Sequence, residues 1–229
     1  MSNAILTKSN LDFLKLLKKN NNRDWFNAHK ERYLTELKNL ELFADAVLLE
    51  LNKHDVIETI SGKKSLHRIY RDVRFSKEKT PYNSHWGGSF KRASKLRRGS
   101  YYYHLESGNS FLAIGFWGPE PADLKKIRDE FSYDSKSFRA ILKNKAFVKT
   151  FDSLKGEQIK TSPKGFSADD EAIDLLRYKQ FLLIRKFTDK EVLSPNFVKI
   201  ANDTFKISRP FLDYMSDALS TDVNGISLE

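Results

Sequence analysis

The chain has 229 residues, 40% hydrophobic and 13% aromatic, with 17 Phe, 9 Tyr and 3 Trp. That supply supports a substantial core and excludes a disordered chain. There are 40 Lys and Arg against 30 Asp and Glu, for a formal charge of +10, and no Cys, which excludes disulfides, a thiol nucleophile and a thiolate zinc site.

No apolar run nears the ~20 residues that cross a bilayer. The N-terminus lacks a basic region followed by an apolar one, so no signal peptide is expected. With no Cys, these features lead us to expect a cytoplasmic protein without membrane association. The first ten residues are expected to stay outside the fold, and Ser2-Asn3-Ala4 carries no structural weight.

Asn10 is the expected N-cap of a helix from Leu11 to about Lys19, and Asn20-Asn21-Asn22 is a break. A long helix is expected from about Arg23 to Lys53. Its apolar stripe is Phe26, Tyr33, Leu37, Leu40, Ala44, Val47 and Leu51. The two helices should pack as an antiparallel pair. From Leu66 to Phe90, short apolar stretches alternate with charge, and Pro81 and Gly87-Gly88 interrupt them, which reads as short strands and ordered loops.

Tyr101–Glu106 and Phe111–Trp117 read as a β-hairpin around Ser107-Gly108-Asn109-Ser110. Pro119 and Pro121 open a helix to about Phe131. Ser135 caps another through Leu142, and a third runs from Ala146 to Leu154. Thr161–Asp170 is loop-like, Phe181–Phe187 a strand. Pro195 opens a final helix through Ile200 and Phe205, which Pro210 should break or kink. This order predicts a single α+β domain: an N-terminal helix pair, a central antiparallel sheet with a β-hairpin, and C-terminal helices.

The positive charge is localised. Ser61–Ser100 holds twelve basic residues, among them Lys91, Arg92, Lys95, Arg97 and Arg98, against only Asp72 and Glu78; the rest of the chain is neutral. Such asymmetry suggests an anionic partner. Lys91–Arg98 reads as solvated surface charge. Arg68, Arg71, Arg74 and Lys77 recur every third residue, with Lys79 and Tyr82 close behind. An irregular path would converge them on one ligand, since guanidinium groups clamp phosphate or carboxylate bidentately. Ile69, Val73 and Phe75 would anchor the segment to the core. Alternatively, Arg71 or Arg74 pairs internally with Asp72 or Asp24.

In the hairpin, a four-residue loop would set His104 opposite Ala113 and Tyr102 opposite Gly115. Tyr101, Tyr103, Leu105, Leu112, Ile114 and Phe116 would then face the core, and Tyr102, His104 and Glu106 the other side. His104 is the candidate general acid or base there, with Tyr102 and Arg177 lining the cleft. Alternatively, that face is solvated, or is covered with His104 hydrogen-bonded in place. His29, His54, His67, His85 and His104 show no metal-ligand spacing, and no phosphate-loop or nucleophile-elbow motif is present.

The run RIYRDVRFSKEKTPY from Arg68 to Tyr82 resembles the signature of the mainly bacterial family called domain of unknown function 2461. Supporting stretches are Asn21-Asn22-Arg23-Asp24-Trp25-Phe26, His29, Arg32-Tyr33, Tyr103-His104-Leu105, Gly115-Phe116-Trp117, Pro119-Glu120-Pro121, Pro163-Lys164-Gly165-Phe166, Leu176-Arg177-Tyr178-Lys179 and Leu193-Ser194-Pro195. The likeness covers nearly the whole chain, but Lys91–Arg98 departs from it. It implies one α+β domain and brings no activity, cofactor or site residue.

The residues lead first to a protein that binds an anionic small ligand through Arg68, Arg71, Arg74, Lys77, Lys79 and Tyr82. The alternatives are an enzyme on a phosphorylated or carboxylated substrate with His104 as acid or base, a nucleic-acid-binding protein, and a structural or partner-binding protein. No metal or cofactor is assigned.

Overall fold

A computed structural model describes residues 5–93 and 96–221. Lys95 and Ser2-Asn3-Ala4 lie outside the described residues. The elements in chain order are α1 (Lys8–Lys19), α2 (Arg23–Ala28), α3 (Lys30–Leu51), α4 (Gly62–Ser65), β1 (Trp86–Lys91), β2 (Ser100–Leu105) and β3 (Ser110–Phe116). Then come α5 (Pro121–Tyr133), α6 (Lys136–Lys143), α7 (Lys145–Phe151), α8 (Ile173–Leu176), β4 (Phe181–Phe187), α9 (Asp189–Val192), α10 (Phe197–Ile207) and α11 (Arg209–Ser220). The four strands form one antiparallel sheet in the order β1-β2-β3-β4, so the fold class is α+β as expected.

By packing, the chain divides into two units. The first comprises the residues up to Phe90 with Tyr102–Leu112 and Lys186–Asp203. The second comprises Lys91–Tyr101, Ala113–Arg185 and the residues from Thr204 onward.

In the first unit, α1 starts three residues before the expected Leu11, at Lys8, with Thr7 as its N-cap. Asn10 is not the cap. It lies inside the first turn, takes a hydrogen bond from the Thr7 backbone N–H at 2.8 Å, and donates from Nδ2 to Glu36 Oε2 at 2.6 Å. This binding draws a polar side chain into the core at 1% exposure. Ser9 also bonds Glu36, and Phe13 meets Tyr33 at 6.1 Å, so α1 and α3 run antiparallel.

The expected helix from Arg23 to Lys53 is broken at His29, where φ is −112° and ψ 21°. Its ring stacks on Trp25 at 4.0 Å, and Nδ1 bonds the Trp25 carbonyl at 2.8 Å, closing α2 before α3 begins. The stripe is otherwise buried, from Phe26 to Leu51, with Leu37 half-buried. Phe13, Tyr33 and Trp86 pack together in this core, and Phe43 packs on Tyr103 and Phe197. Each fully buried ring contributes about 2–3 kcal/mol.

In the second unit, Phe131, Phe138, Phe181 and Phe211 form the aromatic centre. The final helix is broken beside Pro210, as expected. The chain turns at Ser208, and Pro210 sits in the first turn of α11, where a missing N–H costs nothing.

The charge of Lys91–Arg98 is not simply solvated, which corrects the expectation. Arg92 is 1% exposed, paired with Asp213, and donates to Ser216 Oγ at 3.0 Å and to the Arg98 carbonyl at 3.1 Å. Arg98 pairs with Asp123. These cations serve the fold, because a buried guanidinium must be matched donor by donor.

Candidate functional site

Residues 66–90 lie in the first unit and form an irregular double strand held by isolated bridges, Leu66 to Gly88 and Tyr70 to Tyr82. The Arg71 N–H donates to the Pro81 carbonyl at 2.9 Å, and the Asn83 N–H to the Ile69 carbonyl at 2.7 Å. Asn21 pins the stem from outside, accepting from the Tyr82 N–H and donating to the Tyr82 carbonyl. Below the stem Tyr82 is 4% exposed and stacks on Phe26 at 4.0 Å. Ile69 is buried as expected, but Phe75 is 96% exposed and anchors nothing. The tip it occupies is closed instead by polar contacts, with Lys79 Nζ donating to the Val73 carbonyl at 3.0 Å.

The cationic side chains of this segment have separate partners. Arg74 pairs with Asp72 at 2.6 Å, both exposed, and holds the Asp72 carboxyl below the usual range. Arg71 is half-buried; its NH1 donates to Thr80 Oγ1 and lies 3.1 Å from Glu78. Lys79 serves the tip, and Arg68 and Lys77 are exposed.

Of the candidate cations, Arg71 lines a cavity of about 330 Å³, together with Arg23, Asn27, Tyr70, Val73, Pro81 and Tyr82. Arg23 stands on the first turn of α2 and was not singled out by sequence. Neither the Arg23 side chain nor Arg71 Nε and NH2 has a hydrogen-bond partner among the described residues.

A second cluster lies on the strands of the same unit. His104 rests against Phe111, ring centroids 4.6 Å apart and 12° from parallel. Phe111, rather than Ala113, therefore stands beside His104. This corrects the expected register, since β2 ends at Leu105 and β3 begins at Ser110. The other face of His104 is covered by His85, at 4.1 Å and 25°. Tyr102 Oη lies 3.1 Å from His104 Nδ1, and Glu106 Oε2 lies 3.5 Å from Nε2.

The simplest proton arrangement has Tyr102 donating to Nδ1 and Nε2–H donating to the Glu106 carboxylate. Lys18 Nζ donates to the other Glu106 oxygen at 2.9 Å. Burial pushes Glu106 up, but the bonds from Lys18, Asn109 and His104 outweigh it and hold it below the usual range. Burial pulls His104 down, against the opposing influence of Glu106. His85 is pulled down to about 4, first by burial and then by His104.

Gly87 makes room for this arrangement, because a β-carbon there would stand 3.0 Å from Tyr102 Oη. His67 borders the cluster, with its ring 5.6 Å from Tyr102 and Nε2 2.8 Å from Ser89 Oγ. His67, His85 and Ser89 were not singled out from sequence. The available signal was the alternation of His85, just before β1, with Gly87 and Ser89 on it. Arg71 and His85 stand on the same double strand, on opposite sides of the rung from the Asn83 N–H to the Ile69 carbonyl. Among the described residues no group of His, Asp and Glu is arranged to hold a metal ion.

Arg177, expected beside His104, belongs to the second unit. It caps the C-terminus of α8, its carbonyl accepts from the Ile159 N–H at 2.9 Å, and its Nε is buried without a hydrogen-bond partner. No helix among the described residues is long and apolar enough to cross a membrane.

No curated protein and no solved structure matches the chain. A family model does, described as a conserved hypothetical protein and spanning residues 9–214, which includes the cavity and the histidine stack alike. The chain therefore belongs to the DUF2461 family.

Proposed function

We propose that this protein binds a small anionic molecule, bearing phosphate or carboxylate, in the cavity between Arg23 and Arg71. The observation that supports the reading is that two guanidinium groups with unclaimed donors line one cavity of about 330 Å³. A guanidinium carries five N–H donors in a planar fork, and its natural counterpart is a tetrahedral or planar oxyanion. The volume is at the small end of ligand cavities, which suits a metabolite rather than a polymer. Asn27 adds polar recognition, and the rings of Tyr70 and Tyr82 supply walls. Arg68, Arg74, Lys77 and Lys79 do not line the cavity and are not assigned to the ligand. We place the protein in the cytoplasm as part of this reading, on the absence of Cys.

Thermal-shift and calorimetric titration with inorganic phosphate, sugar phosphates and citrate tests the proposal. We expect stabilisation by at least one of these, and binding at least about tenfold weaker in Arg23→Gln and Arg71→Gln, as for loss of a charge-assisted bond. No stabilisation by any of them refutes it. A mobility shift with DNA or RNA at low salt, and none of these ligands bound, would favour the nucleic-acid alternative.

A second reading, an enzyme acting on such an anion, is favoured by the Tyr102–His104–Glu106 chain. A phenol, an imidazole and a carboxylate in sequence are the elements of acid–base catalysis. In this reading His104 belongs to the acid–base apparatus, and the guanidinium groups stabilise developing negative charge.

A further inference from the structure

We propose that His85, not His104, is the imidazole that exchanges protons with the bound molecule, and that His104 is its positioning residue. The inference rests on the enzyme reading above and deepens it. His104 has little left with which to meet a substrate. Its faces are covered by Phe111 and His85, and its two nitrogens face Tyr102 and Glu106. It is 9% exposed.

His85 is the outer ring of the same three-ring stack. Neither of its nitrogens has a hydrogen-bond partner among the described residues, and neither is one of the sealed, unpartnered polar atoms, so both meet solvent. An imidazole held by one face with open nitrogens can take a proton at one nitrogen. The donor O–H bond breaks as the N–H bond forms, and the proton later leaves to water.

The charged and titratable groups around His85 divide by sign. His104, His67 and Arg71 oppose a proton on it, and Glu106 favours one. The ring is therefore neutral at neutral pH, the state a proton acceptor needs, and Glu106 waits behind the stack to offset the charge once it forms.

Acylation of the native, full-length protein by diethyl pyrocarbonate, which attacks only unprotonated imidazole, tests this residue by residue when read by peptide mass spectrometry. We expect His85 to react ahead of His104, at nearly equal rates at about pH 5 and about pH 7.5. An ordinary exposed histidine loses about thirtyfold between those two values. Inorganic phosphate should slow acylation of His85 in the wild type and not in Arg71→Gln.

The proposal is overturned if His104 reacts first in the wild type, if His85 loses the ordinary thirtyfold at about pH 5, or if phosphate bound by the protein leaves His85 unshielded. If phosphate does not bind at all, the anion reading fails, while the order and pH profile of acylation still decide on His85.

Discussion

Gly88 on β1 and Tyr103 on β2 are packed so closely that a β-carbon on the glycine would lie 2.2 Å from the tyrosine hydroxyl. That hydroxyl is itself fixed, 3.0 Å from Ser65 Oγ, and Tyr103 is 1% exposed. Gly88→Ala therefore forces the ring or the strand to move. We expect a loss of about 1–3 kcal/mol, the usual range for overpacking, in a urea melt. A wild-type midpoint would show that the strands separate more easily than the contacts imply.

Acid should weaken the fold through His85. Its value of about 4 in the folded chain lies below the ordinary 6.5, so between the two the unfolded chain binds a proton that the folded chain refuses. Stability then falls as pH drops through that window, and His104, lowered in the same direction, adds to the fall. For His85 the contribution is about 1–2 kcal/mol once its partial exposure is discounted. Melting temperature should drop between about pH 7 and pH 4.5, and less steeply in His85→Gln. Equal slopes would contradict the assignment.

The tip of the Arg68–Tyr82 segment should tolerate change. Arg74 and Asp72 pair in solvent, and the Phe75 ring is 96% exposed. Arg74→Ala and Phe75→Ser should leave both the melting temperature and phosphate binding at wild-type values, in contrast to Arg71→Gln. If Arg74→Ala abolishes binding while the fold survives, the ligand reaches further along the loop than the cavity indicates.

Arg92 should matter to the fold far more than its basic neighbours suggest. Removing it leaves a hole the size of its side chain and takes one donor each from Ser216 and the Arg98 carbonyl, which keep their bonds to each other. We expect Arg92→Ala to cost about 3 kcal/mol, measured by chemical denaturation. Asp213 keeps part of its compensation, since Arg209 also donates to it at 3.1 Å. A neutral result would mean that the buried guanidinium is dispensable.

Periodicity made much of the architecture legible. Phe181–Phe187 is a strand with the ends the alternation predicts, and α5 starts on Pro121 as expected. Failures came where a distant contact overrode a local pattern. Asn10 resembles a cap but is drawn inward by Glu36. The stripe from Phe26 to Leu51 is continuous in sequence, but His29 folds back on Trp25 and breaks the helix. Phe75 follows the apolar Ile69 and Val73 at even spacing, yet Val73 is only half-buried and a 3.0 Å bond from Lys79 closes the tip without Phe75.

The candidate site was half visible. Arg71, Tyr82, Tyr102 and His104 stood out by type and spacing. Arg23 and His85 did not, because what distinguishes them is a shared cavity wall and a stacked ring, which arise only when segments far apart in sequence meet.

Arg71 never stands empty-handed. Glu78, carried on the same loop and 67% exposed, already occupies one edge of its guanidinium. An incoming anion must therefore displace or share with a resident carboxylate tethered a few residues away. On the proposed reading, singly charged solutes compete poorly for that place and a doubly charged phosphate competes better. If the cavity holds an anion as proposed, the loop filters charge density as well as walling the cavity, with Glu78 setting the threshold that a ligand has to exceed.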